Sequence, residues 1–230
     1  MATEHDKRLS PLNDLPAGVL RINEIFASIQ GESSHAGRPC TFVRTACCNL
    51  RCRWCDTSYA FDTGEPMSVD EIAARVAGFG WPLVEVTGGE PLVQKALPAL
   101  LERLCDTGYE VLLETNGSID LATVDPRVVK IVDLKAPSSG EQWANRSLNL
   151  ELLSRRDELK LVIADRSDYE WARGEVRGRR LNERCTVLFG PVFSELSAED
   201  LASWILADAL PVRLQLQLHK IVWGPTRRGV

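Results

Sequence analysis

Apolar residues recur along this chain in short runs separated by segments of helical period. Val19-Leu-Arg-Ile-Asn-Glu-Ile-Phe26 alternates apolar and polar roughly at period two, which predicts an edge strand. Thr41-Phe-Val-Arg-Thr45 predicts a second strand, feeding directly into a cysteine-rich loop. Short apolar runs at Leu83–Thr87, Tyr109–Thr115, Val128–Leu134, Leu159–Ile163, Cys185–Phe189 and Val212–Leu216 predict further strands. Ser68-Val-Asp-Glu71 is a capping box opening a helix with Ile72, Val76 and Phe79 on one face. Another helix is expected from Pro91 through Leu100 and Leu104 to Gly108, and others over 167–177 and, capped by Ser197, over 198–209. The polar stretch between Leu134 and Leu159 has only a weak helical signal, so one crossover is expected to be irregular. Strand and helix signals alternate about six times with no hairpin signature, which implies parallel strands joined by right-handed crossovers. The expected fold is an incomplete α/β barrel, with an open doubly wound sheet as the alternative. In either, sites collect at the C-terminal strand ends.

Composition narrows this picture. The 230 residues suit one domain: a loose, polar arm over 1–18, interrupted by Pro11 and Pro16, and a single catalytic domain over 19–230. A net charge of -5 argues against a surface that coats nucleic acid, so no direct nucleic-acid partner is expected. Met1–Leu9 lacks the apolar core of a signal peptide, and no apolar run reaches the ~20 residues of a membrane span. With an odd number of cysteines, seven, a reduced cytoplasm is the simplest compartment. Cys40, Cys47, Cys105 and Cys185 are expected to be small buried hydrophobes.

The remaining cysteines carry chemistry. Cys48, Cys52 and Cys55 are spaced so that three thiolates can converge on one soft metal centre. A closed structural zinc site wants a fourth ligand, and no Cys or His follows within thirty residues. Three ligands on a cubane would leave one iron for a small molecule. Polar residues also gather where the predicted strands end. Thr87-Gly-Gly-Glu-Pro91 offers exposed peptide groups and the Glu90 carboxylate, or else a tight turn with Glu90 at a helix N-terminus. Glu114-Thr-Asn-Gly117 and Asp133-Leu-Lys135 end the next two strands. Arg44 stands in a mostly apolar strand and needs an anion or a carboxylate partner, such as Glu24 or Glu32. His219, in Gln217-Leu-His-Lys220, is expected at the end of the last strand.

The cysteine loop, with Trp54 before its last ligand, resembles that of radical S-adenosylmethionine (SAM) enzymes. Asn23-Glu-Ile-Phe26, Ile29-Gln-Gly-Glu32, Gly37-Arg-Pro39, Phe42-Val-Arg44, Cys55-Asp-Thr57, Thr87-Gly-Gly-Glu-Pro91, Glu114-Thr-Asn-Gly117 and His219-Lys220 together resemble 7-carboxy-7-deazaguanine synthases from about residue 20 to 225. The resemblance implies a distorted, incomplete (β/α) barrel with mostly parallel strands, acting as a homodimer. It implies a lyase of queuosine and 7-deazapurine biosynthesis that contracts 6-carboxy-5,6,7,8-tetrahydropterin to 7-carboxy-7-deazaguanine with loss of ammonia. A flavodoxin-like or other one-electron reductant would supply the electron.

By the same resemblance Cys48, Cys52 and Cys55 hold a 4Fe–4S cluster, and Thr57 holds Mg²⁺. SAM is expected at Trp54, Cys55, Asp56, Gly88, Gly89, Glu90, Glu114, Asp133, Leu134 and Lys135. The pterin is expected at Ile29, Gln30, Gly31, Arg44, Thr87 and His219. The chain departs from the family pattern at Ser33 and Cys47, where glycine is usual, and in a segment through Gly224–Val230, expected to be a solvated tail. The rival readings are a radical SAM activase that makes a glycyl radical on a partner protein and a zinc-binding module without activity.

Overall fold

The structure is a computed structural model that describes residues 4–230, with side chains from Lys7 onward. Helix α1 (Glu4–Leu9) and a 3-10 turn precede the sheet, where the sequence reads as a loose arm. The Arg8 guanidinium donates to the Asn49 carbonyl at 2.9 Å, tying this segment to the cysteine loop. Strand β1 (Val19–Ile29) pairs antiparallel with β2 (Pro39–Thr45) and with β3 (Glu65–Ser68), so β1 is interior and β3 is the edge. The sequence missed β3 because Pro66 and charged Glu65 mask any alternation, features that suit an edge.

Ser68 then caps α2 (Val69–Ala77) with the expected capping box, and Ile72 and Val76 are fully buried while Phe79 is exposed. Strand β4 (Leu83–Gly88) follows. Pro91 opens only a 3-10 turn, and the helix proper, α3 (Leu97–Asp106), starts later. The interruption is Gln94, whose buried amide bonds the Arg21 and Ala46 carbonyls at 2.9 Å and holds the chain extended there. Strands β5 (Glu110–Thr115), β6 (Val129–Asp133), β7 (Glu158–Ile163) and β8 (Thr186–Pro191) alternate with α4 (Ser147–Glu151), α5 (Arg166–Arg179) and α6 (Ala198–Ala207). The irregular crossover falls at α4, as the weak signal implied. The last strand shrinks to β9 (Arg213–Leu214), and His219 lies not at a strand end but in α7 (Leu218–Trp223).

Among the described residues these strands make one open sheet, in the order β3-β1-β2-β4-β5-β6-β7-β8-β9, parallel from β2 to β9. This is the incomplete barrel rather than the doubly wound sheet. Side-chain alternation divides each strand between two layers. Val43, Val86, Leu113, Val132, Leu159, Leu161 and Phe189 face outward and pack under the helices. Inward, Cys40, Phe42, Leu83, Leu112, Val129 and Ile131 form an apolar floor, with Phe26 stacked on Phe42 at 5.1 Å between ring centres. Each fully buried leucine of these layers contributes roughly 1.5–3 kcal/mol, which is what fixes the register. Continuing inward and toward the C-terminal ends, the same parity gives Arg44, Glu85, Thr87, Glu114, Asp133 and Lys160, a polar layer above the floor. Among the described residues no helix is long and apolar enough to cross a membrane.

Candidate active site

A cavity of about 740 Å³ opens over that polar layer, and every site residue expected from the sequence lines it except Glu90 and Leu134. The Leu134 side chain is buried in the outer core, its backbone N–H donating to the Lys160 carbonyl. Glu90 is fully buried. Its carboxylate accepts from Leu92 N, Asn116 N and Thr115 Oγ1 at 3.0, 2.6 and 2.7 Å, joining the ends of β4 and β5. Burial pushes this carboxyl up to about 7, against those three donors. Glu90 thus caps the turn, as in the simpler of the two readings of this motif.

The two glycines before it are required by the cysteine loop. A Cβ on Gly88 would fall inside contact distance of the Thr45 backbone, and Gly88 has φ +145°. A Cβ on Gly89 would strike the Cys47 carbonyl and come within 3.0 Å of Cys48 Cβ. The loop is held against this turn by Glu90 N to Cys47 O and by Cys47 N to Ala60 O, both 2.8 Å. Cys47 is fully buried with φ 72°, and Ser33 has φ 62°. Both departures from the family's glycines therefore sit in the left-handed region, which explains glycine there.

Cys48, Cys52 and Cys55 line one wall of the cavity, whereas Cys40, Cys47 and Cys185 are buried away from it, and so far as expected. Cys105 lies half-buried instead. Among the described residues no three His, Cys, Asp or Glu side chains converge tightly enough for a single metal ion. Thiols spread around a wall suit a polynuclear cluster better, because each sulfur then meets a different iron. Burial pushes the Cys48 thiol up to about 12 and raises Cys52 and Cys55, while the Lys135 ammonium pulls all three down. Ligation must therefore displace protons from these thiols.

The same cavity holds a web of charge centred on Lys160, a residue that the sequence reading did not single out. The Lys160 ammonium, on β7, is within ion-pair distance of Glu32 (3.0 Å), Asp133 (3.4 Å) and Glu114. Glu32 also accepts from Gln215 and Gln217 at 2.9 and 2.8 Å, and Thr87 Oγ1 donates to Glu114 at 2.8 Å. Lys135 pairs with Asp133 at 2.6 Å. One buried cation thus joins the β1–β2 loop, β5 and β6.

At the mouth, Arg44 Nε donates to Glu24 at 2.8 Å, the carboxylate partner foreseen for it, and Tyr59 O–H donates to the same oxygen at 3.0 Å. Asp56 pairs with Lys220 of α7 at 2.6 Å and accepts from the Thr57 hydroxyl at 3.0 Å. Burial alone would raise the Asp56 carboxyl, but Lys220 holds it down to about 2. His219 packs so closely on Gly31 that a Cβ there would lie 2.7 Å from its Nδ1. Residues 225–230 also line the cavity, and the Arg228 guanidinium sits 4.0 Å over the Tyr59 ring, so this segment is a roof rather than the expected tail.

A sequence profile of the radical SAM superfamily matches residues 42–134, spanning the cysteine loop and the three strand ends after it. The chain is 52% identical over 214 residues to the 7-carboxy-7-deazaguanine synthase of Chlorobaculum tepidum, covering 92% of this chain and 97% of that one. It is 48% identical over 226 residues to the synthase of Koribacter versatilis, covering 92% and 100%. Among solved structures, QueE from Escherichia coli superposes with a TM-score of 0.73 at 21% identity, covering 95% of this chain and 100% of that one. SuiB from Streptococcus suis superposes with a TM-score of 0.54 over 75% of this chain and 47% of its own, a likeness of fold alone. Cysteine loop, open parallel barrel and profile define a radical SAM enzyme, with the 4Fe–4S cluster and SAM that this class uses. Its extended identity to full-length relatives is narrower still: the chain belongs to the 7-carboxy-7-deazaguanine synthase family. Neither the activase nor the zinc-module reading finds support in these relatives.

Proposed function

We propose that this enzyme contracts 6-carboxy-5,6,7,8-tetrahydropterin to 7-carboxy-7-deazaguanine and ammonia, assisted by Mg²⁺. The conversion is redox-neutral, the product differing from the substrate by the elements of ammonia, so SAM is regenerated. The observation that carries the reading is one cavity that joins the three thiols to Gln30, Arg44, Thr57 and Thr87. Cysteine-held cluster and SAM, when bound, would supply hydrogen-atom abstraction chemistry to this cavity.

The chain's own residues divide the remaining work. Cys48, Cys52 and Cys55 would hold the cluster, and the Gly88–Gly89 backbone, Trp54, Asp56, Glu114, Asp133 and Lys135 would seat SAM. Arg44, with only its Nε hydrogen-bonded among the described residues, would turn its terminal nitrogens to the substrate carboxylate. Thr57, a hard oxygen donor beside Asp56, suits Mg²⁺. Gln30, Gly31, Thr87 and His219 would fix the ring, and the segment over Tyr59 would exclude water. The active form is read as a homodimer fed by a one-electron reductant such as a flavodoxin-like protein. Residues 19–230 are read as one catalytic domain with 1–18 as its arm.

Incubating reconstituted enzyme with SAM, a one-electron reductant, Mg²⁺ and the carboxytetrahydropterin tests this. Deazaguanine and ammonia in equal amounts are expected. An enzyme that cleaves SAM but leaves the pterin intact would overturn the reading.

A further inference from the structure

Glu85 stands on the inner face of β4, two residues below Thr87, and is 2% exposed. It is level with Phe42 on β2 and Leu112 on β5, so it rests at the boundary of the apolar floor and lines the cavity. Gln30 Nε2 donates to its Oε2 at 2.7 Å. The amide cannot be reversed, because Gln30 Oε1 accepts from the Glu32 backbone N–H at 2.6 Å. The buried structural carboxyl of Glu90 is satisfied by three donors, whereas among the described residues Glu85 has only the Gln30 amide and no cation within ion-pair distance. The nearby ammonium of Lys160 is held by Glu32, Glu114 and Asp133.

The register places this carboxyl below the arginine. Arg44 is opposite Thr87 and Phe42 opposite Glu85, a drop of two residues, or roughly 6.6 Å of strand. A guanidinium borne near the strand ends and a carboxyl borne two residues deeper, both lining one cavity, match in order a heterocycle that has an acid at one end and N–H donors at the other. We propose that Glu85, oriented by Gln30, is the specificity residue that receives the ring N–H and 2-amino group of the pterin. This inference rests on the pterin reading above and deepens it.

The groups facing Glu85 give the inference a pH signature. Burial pushes its carboxyl up to about 8, and the Glu114 and Glu32 charges add to this. The Gln30 amide and Lys160 act the other way, and the Cys40 thiol on β2 faces it uncharged. Accepting two N–H donors requires the ionised form, which is about a tenth of the free enzyme at pH 7. Pterin binding then expels a proton, and affinity rises about tenfold between pH 7 and 9.

The test is calorimetric titration of the SAM-loaded holoenzyme with the carboxytetrahydropterin, anaerobically, in two buffers of different ionisation enthalpy. Wild type is expected to release close to one proton at pH 7. Glu85→Gln is expected to bind the pterin roughly ten- to a hundredfold more weakly at pH 8, without the pH slope, and to bind SAM as wild type does. Zero proton release by wild type, or a Glu85→Gln Kd within about twofold of wild type, overturns the inference. The proton count needs no variant, so it stands even where Glu85→Gln fails to fold. Failure of wild type to bind or convert the pterin would instead strike the proposed function.

Discussion

Lys160→Met removes the cation shared by three carboxylates while keeping an unbranched side chain of similar length. At an effective dielectric near 20, one unit charge 3.0–3.4 Å away is worth about 5 kcal/mol per pair before desolvation. Desolvating the ammonium offsets much of that sum. What remains in the variant is a set of half-buried carboxylates supported only by Lys135, Thr87 and the Gln215 and Gln217 amides. Breaking such a group by deleting one partner costs about 3–5 kcal/mol. For a chain of this size that is a Tm drop of roughly 6–20 °C. The loss has a pH dependence of known sign. Burial would raise the Glu32 and Asp133 carboxyls, but Lys160, joined at Asp133 by Lys135, keeps both below their usual values. A depressed carboxyl stabilises the fold above its unfolded value and loses that contribution as pH falls through its folded one. Without Lys160 these carboxyls rise and protonate earlier, so the gap between parent and variant is widest above neutrality and narrows toward pH 5. Thermal denaturation of both holoenzymes at pH 8 and pH 5.5, followed anaerobically by circular dichroism, measures this. An equal Tm difference at the two pH values would refute the charge argument.

Gly89→Ala should cost the protein most of its iron after reconstitution, since the new methyl collides with the Cys47 carbonyl; iron and sulfide assays decide it. Cys47→Ala should keep its iron while Cys48→Ala should not, and a reversed pair of iron contents would show the ligand register to be wrong. Gly31→Ala should raise the KM for the pterin several-fold by driving His219 outward, with SAM binding unchanged in titration. Thr57→Ala should keep its cluster but need more Mg²⁺ for half-maximal rate, and equal Mg²⁺ dependence in parent and variant would rule out ligation through that hydroxyl.

Most of the parallel strands were legible because each is a short apolar run, and the cluster loop because three cysteines crowd into eight positions. Pairing was not legible. Nothing in Val19–Phe26 says that β3 would close its outer side, or that β1 and β2 would run antiparallel. Arg44 drew notice as a charge in an apolar strand, yet Lys160 in Leu159-Lys-Leu and Glu85 in Val84-Glu-Val carry the same signal and were passed over. Their meaning depends on neighbours brought in by register, which no single segment contains. Glu90 was legible only as a pair of alternatives, and the fold adds that its carboxylate ties together the turn at Leu92 and the end of β5 at Thr115 and Asn116. Ser33 and Cys47 were visible as departures from glycine, and only their backbone angles showed what the departures mean.

The polar layer occupies alternate positions of neighbouring strands, and this makes the enzyme unequally tolerant of length changes. Deleting one residue early in β4 would carry Val84 and Val86 into the chamber and turn Glu85 and Thr87 against the helices. The same deletion in the connection between α4 and β7 would leave every inward side chain where it is. Indels in this lineage should therefore accumulate in the crossovers and be absent from the strands, even where the strand residues themselves vary.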